Sequence, residues 1–382
     1  MRSVALDLGS RISYCEVKDG KVVERATVGS LSDLVPLLGS NTPPARVAFE
    51  AGCEAWLVHD QLQAWGHEPL MLDTTRVRQL GVGQHKRKND RIDAETMAMA
   101  LDVGRIPLAH VLSPHRRELR MQLGARRALV ETRAQYVTQI RGLARAHGKH
   151  LPSCDTENFV ERLRETPLDE QTRALVEPLV KVLEVLTPQI ALVEKKLEQL
   201  CAAEPVIKRL GTTPGVRLIV AAAFVSVIDE ASRFRRAHHV EAYVGLVPSE
   251  HTSIHRKLGA ITKQGNSYLR ALLVQAAHSV FRLRADDPLK RWGESIAERR
   301  GKRIAVIAVA RRLVGILWAM WRDGSVYNPT KLGLATANGL SSHARELTAE
   351  AEKQRAAVAP TGNRRSTPRA SARKTPREVR MS

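Results

Sequence analysis

The strongest constraint on the fold is the order of strand and helix patterns in the first hundred residues. Three β-rich segments come first, SVALDLG, ISYCEV and KVVERATV, and Asp19-Gly20 joins the last two as a tight hairpin turn. Two further strand patterns, ARVAFEAG and EPLMLD, then alternate with helical ones: Leu31–Leu38, Glu54–Trp65 and the segment ending AETMAMAL. An antiparallel meander followed by βα units predicts an α/β domain over residues 1–113.

This order of elements is that of the ribonuclease-H-like fold. The next region, residues 114–205, has no strand signals and is charged and helical. Apolar residues recur there at helical spacing, as in LVEKKLEQL, and predict a helical or coiled-coil spacer. Pro152 and Pro167 enclose a polar stretch, which predicts a break between two helical arms.

A mainly α-helical domain is predicted for residues 206–330. Its segment LGTTPGVRLIVAAAFVSVI resembles a helix-hairpin-helix element, in which turn amides and a helix N-terminus can bind phosphate. A purely structural Pro-Gly turn is equally compatible with that segment. The pattern RIAVIAVARRLVGILWAMWR predicts an amphipathic helix with Trp318 and Trp321 in the core.

Basic residues are in excess along the whole chain. Lys and Arg number 60 against 40 Asp and Glu, so the net charge is +20 and the isoelectric point is near 10.3. This balance predicts a polyanionic partner, by default nucleic acid, without separating an enzyme from a binding protein. Aromatic residues make up only 4%, so phosphate contacts should outweigh base stacking. Residues 331–382 are predicted to be a disordered basic tail.

The cysteine pattern and the apolar runs limit where the protein can act. The four cysteines form no CxxC pair and have no His at zinc-ligand spacing, which argues against a disulfide framework and a structural zinc site. Near the N-terminus, Asp7 interrupts any signal-like apolar run, and the longest apolar run, Leu218 to Ile228, is too short for a bilayer. We therefore expect a cytoplasmic protein with no membrane segment.

Four acids are candidates for one site in the α/β domain. Asp7 ends the first strand, Glu50 ends RVAFE, and Asp90 and Asp93 stand three positions apart at the start of a helical pattern. Helix capping alone could explain the last two. However, acids in buried strands are costly unless paired or metal-bound, and carboxylates at i and i+3 share a helix face. Together the four acids predict a Mg²⁺ site of the kind used in phosphoryl transfer.

Ordered motifs along the chain resemble one family of transposases. ALDLGS, VAFEAG and KNDRIDAETMA resemble the Asp-Glu-Asp-Asp pattern of the DEDD transposases of the IS110 (IS1111) insertion-sequence group. The N-terminal domain of that group is similar to RuvC, a Holliday-junction resolvase. In the same order, LGTTPGV, RFRRAHHVEAYVGLVPSEHTS, LGAITKQGNSYLRALLVQAA and IAVIAVARRLVGIL resemble its C-terminal transposase domain. The resemblance extends to about residue 328.

The resemblance assigns roles to individual residues. It implies a set of metal-binding acids: Asp7, Glu50, Asp90 and Asp93. It also implies that a serine after GLVP attacks DNA and forms a phosphoserine intermediate, and Ser253 is the best match. The family usually has paired serines followed by Gly, whereas this chain has Thr252, Ser253 and Ile254. Thr252 is therefore the alternative nucleophile.

Basic residues near the serine are candidates for phosphate contacts or for stabilising transition-state charge: Arg256, Lys257, Lys263 and Arg270. Ordinary solvated surface is nearly as good an explanation for each. The resemblance further implies a structured bridge RNA that guides the protein to donor and target DNA, assembly into homodimers and tetramers, and a location at the bacterial nucleoid.

We therefore expect a Mg²⁺-dependent DNA transposase, or site-specific recombinase, that cuts through Ser253 and the four acids. One rival is a RuvC-like resolvase, which would need no serine step. A second is a non-catalytic nucleic-acid-binding scaffold, for which Asp7 would be dispensable. A third is a sugar-kinase or actin-like ATPase, suggested by LDLGS, but the Gly-rich nucleotide loops that such a protein needs are missing from the sequence.

Overall fold

The structure, a computed structural model, describes residues 1–78, 90–252 and 256–332. The chain divides into one unit spanning Met1–Ser113 and a second that begins at Pro114. Ser253 lies outside the described residues, as does most of the predicted tail. The side chains of Asp90 and Thr252 are outside them too.

A mixed five-stranded sheet is the centre of the first unit, with the strand order β3-β2-β1-β4-β5. The strands are β1 (Arg2–Leu8), β2 (Ile12–Lys18), β3 (Lys21–Val28), β4 (Ala45–Glu50) and β5 (Glu68–Leu72). The first three form an antiparallel meander, whereas β4 and β5 run parallel to β1. All five predicted strands and the α/β class of this region are thereby confirmed.

Successive side chains of a strand point to opposite sides of the sheet. Both faces of this sheet carry apolar side chains, and helices cover both. On one face Leu6 and Phe49 pack in a core with Leu38, from α1 (Val35–Leu38), and Leu62, from α2 (Ala55–Ala64). The other face carries Ala5 and Ala48. Helix α4 (Asp90–Asp102) lies against it, with Met97 in the shared core. A short helix, α3 (Thr74–Val77), follows β5.

Two long helices open the second unit: α5 (Pro114–Ala146) and α7 (Glu170–Ala202), each of 33 residues. They pack antiparallel, as the ion pairs Arg116–Glu204 (2.9 Å) and Arg126–Glu194 (2.6 Å) show. The short α6 (Phe159–Glu165) lies between them in sequence. Pro152 and Pro167 fall on either side of α6, so the predicted break between two helical arms is confirmed.

Six further helices pack around the main core of this unit: α8 (Pro205–Leu210), α9 (Leu218–Ile228), α10 (Ala237–Val244), α11 (Ser267–Phe281), α12 (Pro288–Arg300) and α13 (Lys302–Asp323). Leu123 of α5 and Leu197 of α7 belong to the same core, so the predicted spacer and C-terminal domain share it. The Trp318 side chain is 3% exposed, and its Nε1 donates to the Ala231 carbonyl at 3.0 Å. Its predicted core position is confirmed.

Helix α13 is the one helix in the described ranges that is long and apolar enough to cross a membrane. Half of its apolar stretch is buried inside the protein. Its buried side chains, among them Val309, Leu313 and Leu317, pack in the main core of the second unit. Composition alone is weak evidence for a membrane segment, because a helix at the centre of a core has the same character.

A close backbone approach accounts for the glycine in the predicted helix-hairpin-helix segment. Gly215, in the turn between α8 and α9, has φ +75°, and a Cβ built there would lie 2.3 Å from the Ala276 carbonyl oxygen of α11. Only glycine fits such a site without strain. The turn therefore has a structural reason for its glycine, and phosphate binding by this segment stays a prediction.

Candidate active site

Asp7 and Glu50 come together because β1 and β4 are parallel neighbours. The strands align in register up to Leu6 and Phe49, so the next residues, Asp7 and Glu50, stand at the same level. Neighbouring strands lie about 4.8 Å apart. By the alternation of side chains, both acids point to the face that carries Ala5, the face covered by α4.

Asp93 approaches the same face from the first turns of α4. It is 8% exposed and lies one residue before Ala94, which packs on the sheet. Two contacts hold the helix against the β2–β3 hairpin. Arg25 Nη2 of β3 pairs with Glu95 at 2.5 Å, and the Gly20 amide donates to Asp102 at 2.9 Å. These contacts, at the middle and at the C-terminal end of α4, hold the helix that carries Asp93 against the hairpin.

The electrostatics of Glu50 show that these acids influence one another. Burial raises the pKa of Glu50, and the nearby charge of Asp93 raises it further. Arg78, which follows α3, acts in the opposite direction and lowers this pKa. A carboxylate that is desolvated beside another acid is a site where a cation would relieve unfavourable charge.

Sequence reasoning did not single out Arg78. Its only signal was its place, six positions after the end of β5 in TTRVR, and a basic residue near a strand end is common. In the structure it is the cation that acts on Glu50, so it belongs to the electrostatics of the candidate site. Arg78 also takes part in a further interaction within the fold.

The described acids fit a magnesium ion by the chemistry of their donor atoms. Carboxylate oxygens are the ligands that Mg²⁺ prefers, and it commonly takes one or two of them, with waters and substrate phosphates completing its shell. Among the described residues no three His, Cys, Asp or Glu side chains are grouped closely enough to hold an ion by themselves. Asp90 begins α4, but its side chain is not among those that the structure describes. The structure therefore places Asp7, Glu50 and Asp93 on one face of the sheet, but these three side chains are not close enough to hold an ion by themselves.

The serine segment lies at a β-hairpin, which the sequence patterns did not indicate. Strands β6 (Pro248–Thr252) and β7 (Arg256–Ile261) pair antiparallel, with Pro248 opposite Ile261 at one end and Thr252 opposite Arg256 at the other. Ser253 belongs to the segment that joins them. Ser253 and the side chains of Arg256 and Lys257 lie outside the described residues.

Two glycines lock the base of this hairpin to the end of α10. Gly245 has φ +78°, and a Cβ there would lie 2.0 Å from the Gln264 carbonyl oxygen. Gly265 has φ +77°, and a Cβ there would lie 2.0 Å from the Tyr243 carbonyl oxygen. Gln264 directly precedes Gly265, and Tyr243 lies two residues before Gly245, so the two glycines together permit one close approach of the two backbone segments. The loop that follows β7 therefore lies in close backbone contact with the end of α10.

Arg270 strengthens the same junction. Its Nη1 donates to the carbonyls of Val244 (3.1 Å), Gln264 (2.6 Å) and Gly265 (3.0 Å). This nitrogen is used inside the fold, so a phosphate contact would have to use the other nitrogens of the guanidinium group. Lys263, by contrast, is exposed, with φ +56° in the loop. Nucleic-acid binding by either residue stays a prediction.

Comparisons with known proteins agree on one group. A DEDD transposase model of the IS110 group matches residues 4–147, and the model described as "Transposase IS116/IS110/IS902 family" matches residues 207–291. Together they cover more than half of the chain.

Individual relatives also match more than half of this chain. A probable family 20 transposase of Pseudomonas aeruginosa is 28% identical over 75% of this chain and 87% of its own length. The transposase for insertion sequence element IS1328 of Yersinia enterocolitica is 25% identical over 85% of this chain and 98% of its own. That for IS1111A of Coxiella burnetii is 28% identical over 63% and 68%.

Proposed function

This chain belongs to the IS110 family of DEDD transposases and acts as a DNA transposase, and on that premise we propose that it moves its insertion sequence through a phosphoserine intermediate. The observation that carries the proposal is the approach of Asp7, Glu50 and Asp93 on the α4-covered face of the sheet. Residues 1–113 would be the RuvC-like catalytic domain, 114–205 the spacer and 206–330 the domain with the serine.

The acids would hold Mg²⁺, with Asp90 as the fourth member of the set. When bound, the ion would shield phosphate charge and assist removal of a proton from the attacking hydroxyl. Asp7 and Glu50 would supply carboxylates from neighbouring strand ends, and Asp93 would supply one from a helix that Glu95 and Asp102 anchor to the β2–β3 hairpin. Arg78 would limit the repulsion between the acids.

Ser253 would be the nucleophile. Its oxygen would attack a DNA phosphorus, form a P–O bond to the serine, and displace a deoxyribose oxygen that leaves as a hydroxyl after taking up a proton. A hydroxyl of the second DNA strand would then attack the phosphoserine, so that a new phosphodiester forms and the serine is released. Thr252 carries the only other hydroxyl at this end of the β6–β7 hairpin in the sequence, and is the alternative.

Nucleic-acid contacts would come from the basic residues around the hairpin, Arg256, Lys257 and Lys263, and from the turn between α8 and α9. The net charge of +20 supports binding to polyanions in general. Guidance by a bridge RNA, assembly into dimers and tetramers, and location at the nucleoid in the cytoplasm complete the proposal. Each of these three follows from the family resemblance alone.

The decisive experiment measures strand transfer by the purified protein with Mg²⁺, donor and target DNA, and the RNA transcribed from the element's end. Asp7→Asn and Ser253→Ala should each abolish the reaction, whereas Thr252→Ala should leave it. Glu24→Gln, which removes an exposed acid of β3, is the matched control and should transfer strands like the wild type. A denaturing gel should show a protein–DNA adduct that Ser253→Ala cannot form.

Two outcomes would redirect the proposal. Cleavage that survives Ser253→Ala but not Asp7→Asn would favour a RuvC-like resolvase without a serine step. Strand transfer lost in Thr252→Ala and kept in Ser253→Ala would move the nucleophile by one residue.

A further inference from the structure

A cleft of about 370 Å³ opens beside the base of the β6–β7 hairpin, in the second unit. Its apolar walls are Leu246, Pro248, Ile261, Trp292, Ile304 and Ile307. This volume is in the range of small-molecule pockets, and it is large enough for one nucleotide. Ile304 is 47% exposed, so an apolar surface faces solvent here without a partner in the described part of the chain.

The rim of the cleft is positively charged. Arg300 and Arg312 both line it and are exposed, and no carboxylate of the described residues pairs with either. Arg311 differs from them, because its Nε binds Glu241 Oε2 at 2.5 Å and its charge is satisfied within the fold. The Arg312 guanidinium lies 5.8 Å from the centre of the Trp292 ring. The cleft therefore combines an aromatic and aliphatic interior with two arginines at its edge that have no carboxylate partner among the described residues.

We propose that this cleft receives one unpaired nucleotide of the bound nucleic acid. The base would lie among the apolar walls against Trp292, and the adjoining phosphates would contact Arg300 and Arg312. Stacking on an aromatic ring and arginine contacts to phosphate are how proteins hold an extrahelical base. The inference rests on the proposed function, because it takes the partner to be the nucleic acid on which the enzyme acts.

The position of the cleft limits which nucleotide it can hold. Pro248 and Ile261 form both the cleft wall and the last pair at the base of the hairpin, whereas Thr252 is at the other end. Thr252 is four residue steps along an extended strand from Pro248, which is about 13 Å. That length equals about four nucleotide steps of duplex DNA. The captured nucleotide would therefore lie within a few positions of the phosphate that the serine segment reaches.

A binding experiment without divalent metal separates this inference from catalysis. The probes are a DNA duplex with a single unpaired 2-aminopurine and the same duplex with that base paired to thymine, both measured in EDTA. The wild type should bind the first duplex about tenfold more tightly, as expected for stacking of one base. It should also change the 2-aminopurine emission as the base leaves the duplex stack and contacts Trp292.

Paired variants identify the cleft as the cause. Arg300→Gln with Arg312→Gln should remove the preference for the unpaired base, and Ile304→Glu should do the same by adding a negative charge to the wall. The control, Arg299→Gln with Arg303→Gln, also removes two positive charges, but from exposed residues that do not line the cleft. This variant should keep the preference for the unpaired base. Circular dichroism should show that all variants retain the wild-type fold.

Three results would overturn the inference. The first is equal binding of the two duplexes by the wild type, and the second is equal loss of the preference in both double variants. The third is a cleft that binds a free nucleoside monophosphate while an unpaired base in DNA has no effect on duplex affinity. If strand transfer remained normal in any of these cases, the proposed function would stand without the cleft. A wild-type protein that bound neither duplex nor RNA would instead contradict the proposed function itself.

Discussion

Asp7 and Glu50 stand at the same level of two neighbouring parallel strands, and both point to the side of the sheet that α4 covers. Asp93 adds a third acid from the helix and raises the pKa of Glu50 beyond the effect of burial. Such an arrangement costs stability in the absence of a cation. It should therefore be detectable in the folding of the protein as well as in its activity.

Replacing Glu50 by Gln should stabilise the metal-free protein at neutral pH while abolishing strand transfer. The folded-state pKa of Glu50 is raised, so its ionised form is disfavoured in the fold. The stability gained by Glu50→Gln should appear as pH rises through that pKa and vanish below the unfolded value of 4.5, where both side chains are neutral. Thermal unfolding in EDTA across this pH range measures it.

Magnesium provides the control for that measurement. Adding Mg²⁺ should raise the melting temperature of the wild type, because an ion that binds only the folded state stabilises it. Glu50→Gln should respond much less, and Glu24→Gln should respond like the wild type. A metal-free Glu50→Gln protein that is less stable than the wild type at neutral pH would contradict the electrostatic account of this site.

Glu16→Gln should destabilise the first unit by about 2 kcal/mol at neutral pH, the scale of hydrogen bonds to a charged group. Arg2 Nη2 and the Tyr14 hydroxyl both donate to Glu16 Oε2, at 2.6 and 2.7 Å. The hydrogen bond from Arg2 lowers the pKa of Glu16. This stabilisation is present above pH 4.5 and is lost as pH falls through the folded-state pKa.

Denaturant unfolding of Glu16→Gln at several pH values checks this prediction. The matched control is Glu68→Gln, because Glu68 is exposed and pairs with Arg46 at 3.6 Å. Exposed pairs contribute less than about 1 kcal/mol, so Glu68→Gln should have little effect. A difference between Glu16→Gln and the wild type that persisted unchanged at low pH would show that packing, and not charge, is responsible.

Gly265→Ala should destabilise the second unit by at least about 2 kcal/mol, because alanine is strained at positive φ and its Cβ would meet the Tyr243 carbonyl oxygen. Gly142→Ala offers the opposite case. Gly142 lies inside α5 with open space at its Cβ position, so alanine there should stabilise by about 0.5–1 kcal/mol. Equal effects of the two substitutions on the free energy of unfolding would contradict the close approach of Gly265 to the Tyr243 carbonyl oxygen.

Thiol labelling should distinguish the cysteines by burial. Cys53 is exposed and should react rapidly with a maleimide. Cys201 is buried, and burial raises its pKa to about 11, so its thiolate is scarce near neutral pH. Cys15 is buried too, with a raised pKa. Mass spectrometry should find fast labelling at Cys53, none at Cys15 and Cys201 until denaturant is added, and no fast phase in Cys53→Ser.

The sequence predicts the first unit well because its elements are regular. Short β-rich segments and a hairpin dipeptide define β1 to β5, and Asp19 and Gly20 both have the positive φ that such a turn requires. The sequence predicted one site for Asp7 and Glu50, whereas their position at the same level depends on strand register, which the pairing of Leu6 with Phe49 shows. The fold of the first unit could be predicted from the sequence because its local patterns and its topology agree.

The second unit contains features that local patterns do not encode. PSEHT and RKLGAI lack a clear alternation, so the β6–β7 hairpin was not foreseen. Arg270 resembles any basic surface residue in sequence, but its Nη1 is engaged by three carbonyls that α10 and the loop bring together. The cleft beside Trp292 likewise depends on how α12 and α13 pack, which residue spacing within one helix cannot reveal.

The antiparallel pair of α5 and α7 has a consequence for how the protein could change in length. Each helix of 33 residues is about 50 Å long. The far part of the pair has its own small cluster with α6, including Ile140, Phe159 and Leu183, apart from the main core. Matched insertions of whole turns in both helices would move this tip outward in steps of about 5.4 Å per turn while leaving the main core intact. The distance between this tip and the main core can therefore change, in evolution or by design, without any change to the residues of the candidate active site.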